Sequence, residues 1–369
     1  MTIPISKPLL DGNERKYVDE CLETGWISSE GPFVRRFETE FAAAVGRRHG
    51  VAVSSGSGAL DIAVTAMELG RGAEVIMPTF TIISCAQALI RAGAIPVLAD
   101  SDPRTWNLDL DQVEELITER TRAIMAVHIY GLTVDMERLS RLAERHSLRI
   151  IEDAAQAIGQ QCHGRHCGSF GDLSTFSFYS NKHITTGEGG MVVTDDERLA
   201  ERCRSLRNLC LRPEARFRHQ ELGWNYRMTN LQAALGCAQL ERLTDHLARK
   251  HEIARQYDQL LAGLPIQRPL PSDAASRNCY WVYGLVLDDS LAMDANIVMA
   301  RLAAHGVASR PFFWPMHEQP IFRKMGLFTT GQLPVAERLA RRGLYLPTGP
   351  DITSAEIAQV AATLRGILR

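Results

Sequence analysis

One lysine stands in a segment of small and apolar residues, where an amine can do chemistry rather than carry a surface charge. Lys182 follows the β-rich run 174–178 and precedes the glycine-rich turn 185–190. Partial burial would lower the pKa of its amine, and the neutral amine could form a Schiff base with a carbonyl group. Ser177, earlier on the same run, could reach a phosphate. His183 is either a second proton-transfer group or a turn histidine with its hydrogen bonds met inside the fold.

Residues 54–60 form a second candidate site, because they follow a predicted strand and open a predicted helix. Gly56 and Gly58 let backbone N–H groups turn toward an anion, which the N-terminus of a helix attracts. Ser57 adds a hydroxyl group. The segment lacks the Gly-Lys-Ser/Thr of a Walker motif. It predicts either a phosphate site or a tight strand-to-helix turn without a ligand.

A third segment, residues 150–156, ends an apolar run on the carboxylates of Glu152 and Asp153. A carboxylate at that place costs free energy unless a cation pairs with it. The pairing could be a structural ion pair. Alternatively, the acid could keep a pyridine nitrogen protonated, which would make that ring an electron sink.

Together the three segments offer a phosphate site, an acid for a ring nitrogen and a lysine for a Schiff base. These are the groups that pyridoxal 5'-phosphate requires of a protein. Asp153 and Lys182 lie 29 positions apart, a spacing that fits neighbouring strand ends separated by a hairpin. The sequence therefore predicts pyridoxal 5'-phosphate as the cofactor.

The elements that would position these residues alternate between residues 50 and 195. Short β-rich runs are separated by segments with apolar residues at helical spacing, such as 59–69. This alternation predicts an α/β fold with a mostly parallel sheet, and such sheets bind ligands at the carboxyl ends of strands. The predicted strands are 51–53, 74–77, 95–99, 123–128, 149–152, 174–178 and 191–194.

The pattern changes after Tyr226. Residues 230–262 predict one long helix with an apolar face. A segment rich in Pro and Ser follows at 268–277, and the remainder predicts a smaller α+β domain. Its helices are expected at 296–305, 334–342 and 354–368.

Composition excludes several functional classes. The formal net charge is −2, so no basic field points to nucleic acid. No run approaches the roughly 20 apolar residues of a membrane span, and no signal peptide is visible, so a cytoplasmic protein is expected. The eight cysteines include no CxxC pair and predict reduced thiols. The spacing within 162–167 fits a hairpin better than a zinc site, so no metal is predicted.

Over nearly its whole length the chain resembles the DegT/DnrJ/StrS family of sugar-nucleotide aminotransferases. The resemblance implies the fold of aspartate aminotransferase (fold type I). A large domain at residues 1–245 would bind the cofactor, and a small α+β domain would occupy residues 246–369. The runs 185–190 and 225–228 are specific for the family. The segments that carry the resemblance are 25–29, 152–156, 176–190, 223–230 and 310–317.

The resemblance also implies a role for each matching residue. Lys182 would hold pyridoxal 5'-phosphate as a Schiff base and move a proton between cofactor and substrate carbon. Asp153 would contact the pyridine nitrogen, and Gln156 would lie near the ring hydroxyl group. A homodimer with shared active sites is implied, because one phosphate ligand would come from the second subunit. The phosphate ligands would be Ser57, Gly58, Ser177 and, from that subunit, Asn225.

One position departs from the family pattern. Many relatives carry an aromatic residue over the cofactor ring where this chain has Ile82. Ile82 can pack on a ring but cannot stack on it, and such stacking contributes about 0.5–1.5 kcal/mol beyond area burial. Either Phe80 compensates or the register differs at this point.

The implied substrates are L-glutamate as amino donor and a nucleotide-linked keto sugar as acceptor. The narrower expectation is C4 of GDP-4-keto-6-deoxy-D-mannose, and the alternative is a UDP- or dTDP-linked 3- or 4-keto sugar. A sugar dehydratase is disfavoured, because such relatives carry His in place of Lys182. A non-catalytic homologue is disfavoured, because the lysine, the acid and the phosphate segment are all present.

Five residues are expected near the substrate. The segment 310–317 combines an arginine with aromatic residues, which suits a diphosphate and a base; the less favoured alternative is a core stripe of the small domain. A histidine at the end of a predicted strand should face the site. The expected residues are His128, His183, Arg310, Phe313 and His317.

Overall fold

A seven-stranded sheet is the centre of the larger part of the chain in the computed structural model, which describes residues 2–212, 217–328 and 331–369. Its strands are β1 (His49–Val53), β2 (Glu74–Pro78), β3 (Ile95–Ala99), β4 (Thr121–Val127), β5 (Arg149–Asp153), β8 (Leu173–Ser177) and β9 (Gly190–Thr194), while β6 (Gln161–Cys162) and β7 (Arg165–His166) form a separate hairpin. The order in the sheet is β1-β9-β8-β5-β4-β2-β3, and β9 alone runs against its neighbours. The shared direction of β1, β5 and β8 brings their carboxyl ends to one edge.

All seven strands predicted for this sheet are confirmed, and their ends differ from the prediction by at most two residues. Most positions in these strands are buried. That burial explains why the strands read as nearly continuous apolar runs. The hairpin predicted at residues 162–167 is confirmed as β6 and β7, and the thiols of Cys162 and Cys167 are buried and unpaired.

Helices cover both sheets of the protein. None of them, among the described residues, is both long and apolar enough to cross a lipid bilayer. The helices are α1 (Glu14–Thr24), α2 (Pro32–Ala44), α3 (Gly56–Ala66), α4 (Ile83–Arg91), α5 (Leu110–Glu115), α6 (Met136–Arg145), α7 (Glu197–Arg207), α8 (Asn230–Glu241), α9 (Leu243–Leu260), α10 (Ala295–Ala304), α11 (Pro320–Lys324), α12 (Pro334–Arg342) and α13 (Ser354–Leu368).

The single helix predicted over residues 230–262 is wrong, because α8 and α9 are separated at Arg242. The backbone of Arg242 is not helical, with φ −104° and ψ 6°. The two helices bury their apolar faces against different partners. α8 packs on α1 and on α2, where Gly236 fits against the ring of Phe37, whereas α9 packs on α13. A face that is continuous in the sequence is thus divided between two cores.

A four-stranded antiparallel sheet organises the C-terminal part. Its strands are β10 (Ile266–Gln267), β11 (Tyr283–Leu287), β12 (Arg310–Pro311) and β13 (Gly343–Leu346), in the order β10-β11-β13-β12. Side chains of β11, β13, α9, α10 and α13 share one apolar core. The fold is therefore α/β with a smaller α+β part, as predicted. The boundary between residues 245 and 246 remains a prediction.

Glu152 is a buried carboxylate that receives five hydrogen bonds. Burial opposes its ionisation, but the hydrogen bonds from His128 and from the N–H groups of a turn outweigh this cost and lower the pKa of Glu152 to about 2. The carboxylate fastens the end of β5 to the turn that precedes β8. The donors are the N–H groups of Gly168 (2.6 Å), Phe170 (3.0 Å) and Gly171 (3.1 Å), Ser174 Oγ (2.9 Å) and His128 Nε2 (3.0 Å).

Replacing Glu152 with alanine should lower the free energy of unfolding by roughly 3–5 kcal/mol, because His128 and the turn would lose a buried acceptor. Denaturant unfolding at neutral pH measures the change. Glu115→Ala removes an exposed glutamate of α5 and serves as the matched control, with an expected change within about 0.5 kcal/mol. Similar losses in the two variants would show that Glu152 has no special structural role.

The same carboxylate predicts a pH dependence of defined sign. Its folded pKa of about 2 lies below the ordinary value of 4.5. The contribution to stability is therefore complete above pH 4.5 and is lost as the pH falls from there toward 2. The stability of the wild-type chain should fall more steeply over this interval than that of Glu152→Gln, which cannot titrate at this position. Parallel curves would contradict the assignment.

Candidate active site

A cavity of about 300 Å³ opens at the sheet edge where β1, β5 and β8 end. Ser55 follows β1, Asp153 ends β5 and Ser177 ends β8. The loop after β8 brings Lys182 to the same cavity. The residues predicted from the sequence that line it are Ser57, Asp153, Gln156, Ser177, Lys182 and Phe313.

The anion-binding end of the cavity is built where α3 begins. Gly56 is required there, since a Cβ atom would lie 2.6 Å from Cβ of Ser177. The Oγ atoms of Ser57 and Ser84 are 2.7 Å apart, and both residues line the cavity. The first N–H groups of a helix have no acceptor within the helix and attract anions. Hydroxyl and N–H donors suited to a phosphate thus converge on one end of the cavity.

Gly58, expected among the phosphate ligands, is placed differently. Its N–H donates to Ser55 Oγ at 3.1 Å, which caps α3. A Cβ atom at Gly58 would meet the ring of Tyr226 at 3.1 Å. The residue does not line the cavity in the described structure, and Gly56 takes the place facing it. Gly58 therefore serves the packing and capping of the helix.

Asp153 is buried with two hydrogen-bond donors nearby. The N–H of Ala155 donates to Oδ1 at 3.0 Å, and the thiol of Cys85 donates to Oδ2 at 3.4 Å. Burial raises the pKa of Asp153, and these donors and the charge of Lys182 offset part of that effect. A carboxylate in this position favours a cation or a protonated ring nitrogen in the cavity beside it.

The amine of Lys182 belongs to a partly buried side chain on the wall of the same cavity. Loss of hydration lowers its pKa to about 7, against the opposite effect of the Asp153 charge. Nζ lies 3.7 Å from the centroid of the Trp281 ring. An amine with this pKa is partly neutral near pH 7. It can attack a carbonyl group in one form and donate a proton in the other.

Gln156 links the cavity to the aromatic contacts of the small sheet. Its Oε1 accepts a hydrogen bond from the N–H of Tyr130 at 2.9 Å, and the side chain lines the cavity. Tyr130 in turn stacks on Phe313, with ring centroids 5.3 Å apart and an interplanar angle of 19°. The amide group of Gln156 is therefore fixed in orientation at the cavity wall.

Ile82 lines the cavity, and Phe80 does not. Phe80 is fully buried and contacts the rings of Tyr130, Phe312 and Phe313. The idea that Phe80 compensates for a missing aromatic residue over the ring is therefore wrong. Its side chain belongs to the contact between the large and small sheets, and the aliphatic Ile82 keeps the position at the cavity.

Two of the histidines expected near the substrate lie elsewhere, which corrects the prediction. His128 is fully buried, with Nε2 3.0 Å from Glu152, while Nδ1 accepts the N–H of Val134 at 3.2 Å. His183 is buried, and its Nε2 donates to the carbonyl of Cys279 at 3.1 Å. Burial lowers the pKa of His183 to about 3. Both rings point into the protein because neighbouring polar groups hold them there.

The segment 310–317 contributes one residue to the cavity. Phe313 lines it, whereas Arg310 is exposed on β12 and does not. His317 is buried between Thr79 Oγ1, 2.8 Å from Nδ1, and Glu337 Oε1, 3.2 Å from Nε2. Arg310 and His317 are thus corrected to positions outside the cavity of their own chain. Different residues of this segment thus line the cavity, pack between the two sheets or lie on the surface.

Asn225 is exposed and lies outside the cavity of its own chain. Its backbone pairs with Asn208, and the carbonyl of the next residue, Tyr226, accepts the N–H of Ser54 at 2.7 Å. The segment therefore runs beside the end of β1, close in space to the start of α3.

Sequence reasoning missed several residues of the cavity wall. Ser84 is the second residue of α4 and lies two positions after Ile82. The sequence around Ile82 could therefore have indicated it. Cys85 follows directly; it does not line the cavity, and its thiol could not have been linked to Asp153 without coordinates. Trp281 comes from the start of the small sheet, and no spacing rule connects it with Lys182. Tyr179 and Glu188 also line the cavity.

Comparison with known proteins agrees with this arrangement. The profile of the DegT/DnrJ/EryC1/StrS aminotransferase family matches residues 8–365. The chain belongs to this family. A GDP-perosamine synthase of Caulobacter vibrioides is 46% identical over 99% of this chain and 98% of its own length. A GDP-perosamine synthase of Vibrio cholerae is 39% identical over 98% of each chain. The structure of DesV from S. venezuelae in complex with a ketimine intermediate has a TM-score of 0.89 and 34% identity, covering 97% of this chain and 94% of that one.

Membership of the family makes the chain a pyridoxal-phosphate-dependent sugar-nucleotide aminotransferase. The residues present fit the cofactor. Gly56 keeps the start of α3 against Ser177, Asp153 is a buried carboxylate with two donors, and Lys182 has an amine of lowered pKa. When pyridoxal phosphate is bound, these residues would hold its phosphate, its ring nitrogen and its aldehyde carbon in that order.

Gly56→Ala should weaken binding of pyridoxal 5'-phosphate by about 10- to 100-fold, because the added Cβ atom collides with Ser177 and spreads the phosphate end. Titration of the cofactor-free chain, followed by absorbance, measures the affinity. Gly366→Ala makes the same change in α13, where a Cβ atom meets nothing within 4 Å, and should bind like the wild type. Unchanged affinity in folded Gly56→Ala would remove α3 from the phosphate site.

Proposed function

We propose that the chain transfers the amino group of L-glutamate to C4 of GDP-4-keto-6-deoxy-D-mannose and so forms GDP-perosamine. The observation that carries the proposal is the single cavity that combines Lys182, Asp153 and the start of α3. The choice of sugar is supported by three full-length relatives named GDP-perosamine synthase, from Caulobacter vibrioides, Vibrio cholerae and Escherichia coli O157:H7, at 46%, 39% and 38% identity.

Lys182 is the residue that moves protons in this proposal. Its amine takes the proton from the α carbon of glutamate in the first half-reaction and delivers a proton to C4 of the sugar in the second. A pKa of about 7 suits both tasks, because the acidic and the basic form are both populated near neutral pH. Bound pyridoxal phosphate supplies the aldehyde that carries nitrogen between substrates and a ring that withdraws electrons.

The other cavity residues bind and orient. Asp153 would hold a proton on the ring nitrogen, which its burial beside the cavity favours. Ser57, Ser84 and Ser177 would bind the phosphate through their hydroxyl groups. Gln156, fixed by Tyr130, would stand beside the ring hydroxyl group.

A panel of nucleotide sugars tests the choice of substrate. The chain with pyridoxal phosphate and L-glutamate should convert GDP-4-keto-6-deoxy-D-mannose to its 4-amino product, scored by mass. Lys182→Ala is the control and should lose turnover and the absorbance of the lysine-linked cofactor, because no other lysine among the described residues lines the cavity. Amination of UDP- or dTDP-linked sugars alone would refute the GDP-sugar assignment and leave the aminotransferase class intact.

The alternative acceptors have a specific observation in their favour. A relative in Acidithiobacillus ferrooxidans, named UDP-N-acetyl-3-dehydro-α-D-glucosamine 3-aminotransferase, is 39% identical over 95% of this chain. A UDP-linked 3-keto sugar therefore belongs in the panel. Sugar dehydration remains disfavoured by the presence of Lys182, and a non-catalytic role by the assembled cavity.

We also propose a homodimer in which Asn225 reaches the phosphate in the active site of the second copy. Asn225 is exposed and outside its own cavity, on a segment that runs beside β1. Exposed apolar side chains of the N-terminal segment, Trp26, Ile27 and Leu22, offer a surface for such a contact. A cytoplasmic location is part of the proposal, since all eight cysteines are free and buried, as expected in a reducing compartment.

Mixed dimers test the sharing of the site. Lys182→Ala and Asn225→Asp should each be nearly inactive, the second because its carboxylate repels the phosphate. After unfolding and refolding together in equal amounts, about half of the dimers would be hybrids with one intact site, so about a quarter of wild-type activity should return. If Asn225 serves its own chain, every hybrid site carries a defect and no activity returns.

A further inference from the structure

The ring of Trp281 lies directly on the amine of Lys182. The distance from Nζ to the ring centroid is 3.7 Å, well inside the roughly 6 Å over which an aromatic face attracts a cation. Trp281 is buried and lines the same cavity. We infer that Trp281 is a positioning residue that holds the amine of Lys182 on the cavity wall whenever that amine is not covalently linked, and that its ring favours the protonated form there.

The ring is attached to the loop that carries Lys182. The indole N–H of Trp281 donates to the carbonyl of Asn181 at 2.9 Å, and Asn181 is the residue before Lys182. The ring and the amine are therefore positioned by the same short piece of backbone. This attachment is what a positioning role requires, because the face of the ring stays in front of Nζ when the side chain of Lys182 is released.

The backbone of Trp281 is held from the opposite side by a buried lysine. Nζ of Lys250 donates to the carbonyl of Trp281 at 3.0 Å and to the carbonyl of Thr348 at 2.6 Å. Lys250 lies on α9 and is 2% exposed. Trp281 is thus fixed at both ends, by its indole N–H to the loop after β8 and by its carbonyl to α9.

The charged and titratable groups around Nζ of Lys182 act on its pKa separately from the ring of Trp281. Asp153, from the end of β5, raises the pKa of Lys182, and loss of hydration lowers it more strongly, to about 7. Tyr179 and Glu188 lie on the cavity wall. His183 follows in the chain with a pKa near 3 and is therefore neutral. The face of Trp281 attracts the ammonium form and has little interaction with the neutral amine, so its removal should lower the pKa further.

This inference rests on the proposed function, because it gives Trp281 the task of keeping the proton-moving amine of Lys182 in both forms near pH 7. Glutamate must lose a proton to that amine, and the sugar must receive one from it. Without the ring the amine would lose its proton at a lower pH, so less of its protonated form would be present near pH 7 to deliver a proton to the sugar.

The experiment measures the pKa of Lys182 in the full-length chain without cofactor. Trace acetylation with acetic anhydride across a pH series, read by mass spectrometry of the peptide containing Lys182, gives the fraction of neutral amine. The wild-type chain should titrate at about 7. Trp281→Leu should titrate lower by about half a unit to one unit, and Trp281→Phe, which keeps a weaker aromatic face, should fall between them.

Trp314→Leu is the matched control. Trp314 is also an aromatic residue beside a cation, with Arg341 5.2 Å from its ring, but it is partly exposed and does not line the cavity. Its replacement should leave the pKa of Lys182 unchanged. Circular dichroism shows whether each variant is folded.

An unchanged pKa in folded Trp281→Leu overturns the inference. Should that variant fail to fold, Trp281→Phe decides, and a pKa equal to that of the wild type overturns it as well. The measurement uses neither cofactor nor sugar, so failure of every sugar in the panel would refute the proposed function without touching this result. In the active enzyme, a shift of the pH profile of kcat to lower pH with KM unchanged supports the inference independently.

Discussion

The buried carboxylate of Asp153 has too few hydrogen-bond donors to compensate its negative charge. The other groups of the site supply the missing compensation. The neighbouring residue Glu152 is also buried but receives five hydrogen bonds, which stabilise its negative charge without a cation from a ligand. Asp153 receives an N–H and a weak thiol donor in the described structure. Burying a carboxylate in this way is unfavourable unless a cation comes close. Lys182 supplies part of that compensation, and a protonated pyridine ring would supply the remainder.

The difference between these two acids follows from strand geometry. Successive residues of a strand point to opposite faces. Glu152 therefore turns toward the hairpin side, where a tight turn offers N–H groups, and Asp153 turns toward the cavity. The position of β5 between β4 and β8 places that second face beside the loop of Lys182. One strand end thus provides a structural acid and a functional acid in adjacent positions.

Patterns in the sequence were sufficient for the strands and for Lys182, because these depend on local periodicity and on residue types that few other functions need. They were insufficient for His128, His183 and His317, because a residue near a strand end or in a turn can face the cavity or the interior. The choice among these directions depends on partners distant in sequence, such as Glu337 for His317. The break between α8 and α9 at Arg242 could not be predicted for the same reason, because the two helices pack against partners that are distant in sequence. Trp281 lies 99 positions after Lys182, and no local signal connects the two.

The attachment of Lys250 to the carbonyl of Trp281 has a consequence for anyone who wishes to rebuild this chemistry in another scaffold. Trp281, whose ring contacts the amine, is held in place by α9. This helix belongs to the C-terminal core and contributes no residue to the lining of the cavity. Transplanting the lining alone would leave the indole without its anchor. A working graft has to include α9 and the segment at Thr348 that follows β13, so the smallest transferable unit of the site spans both sheets.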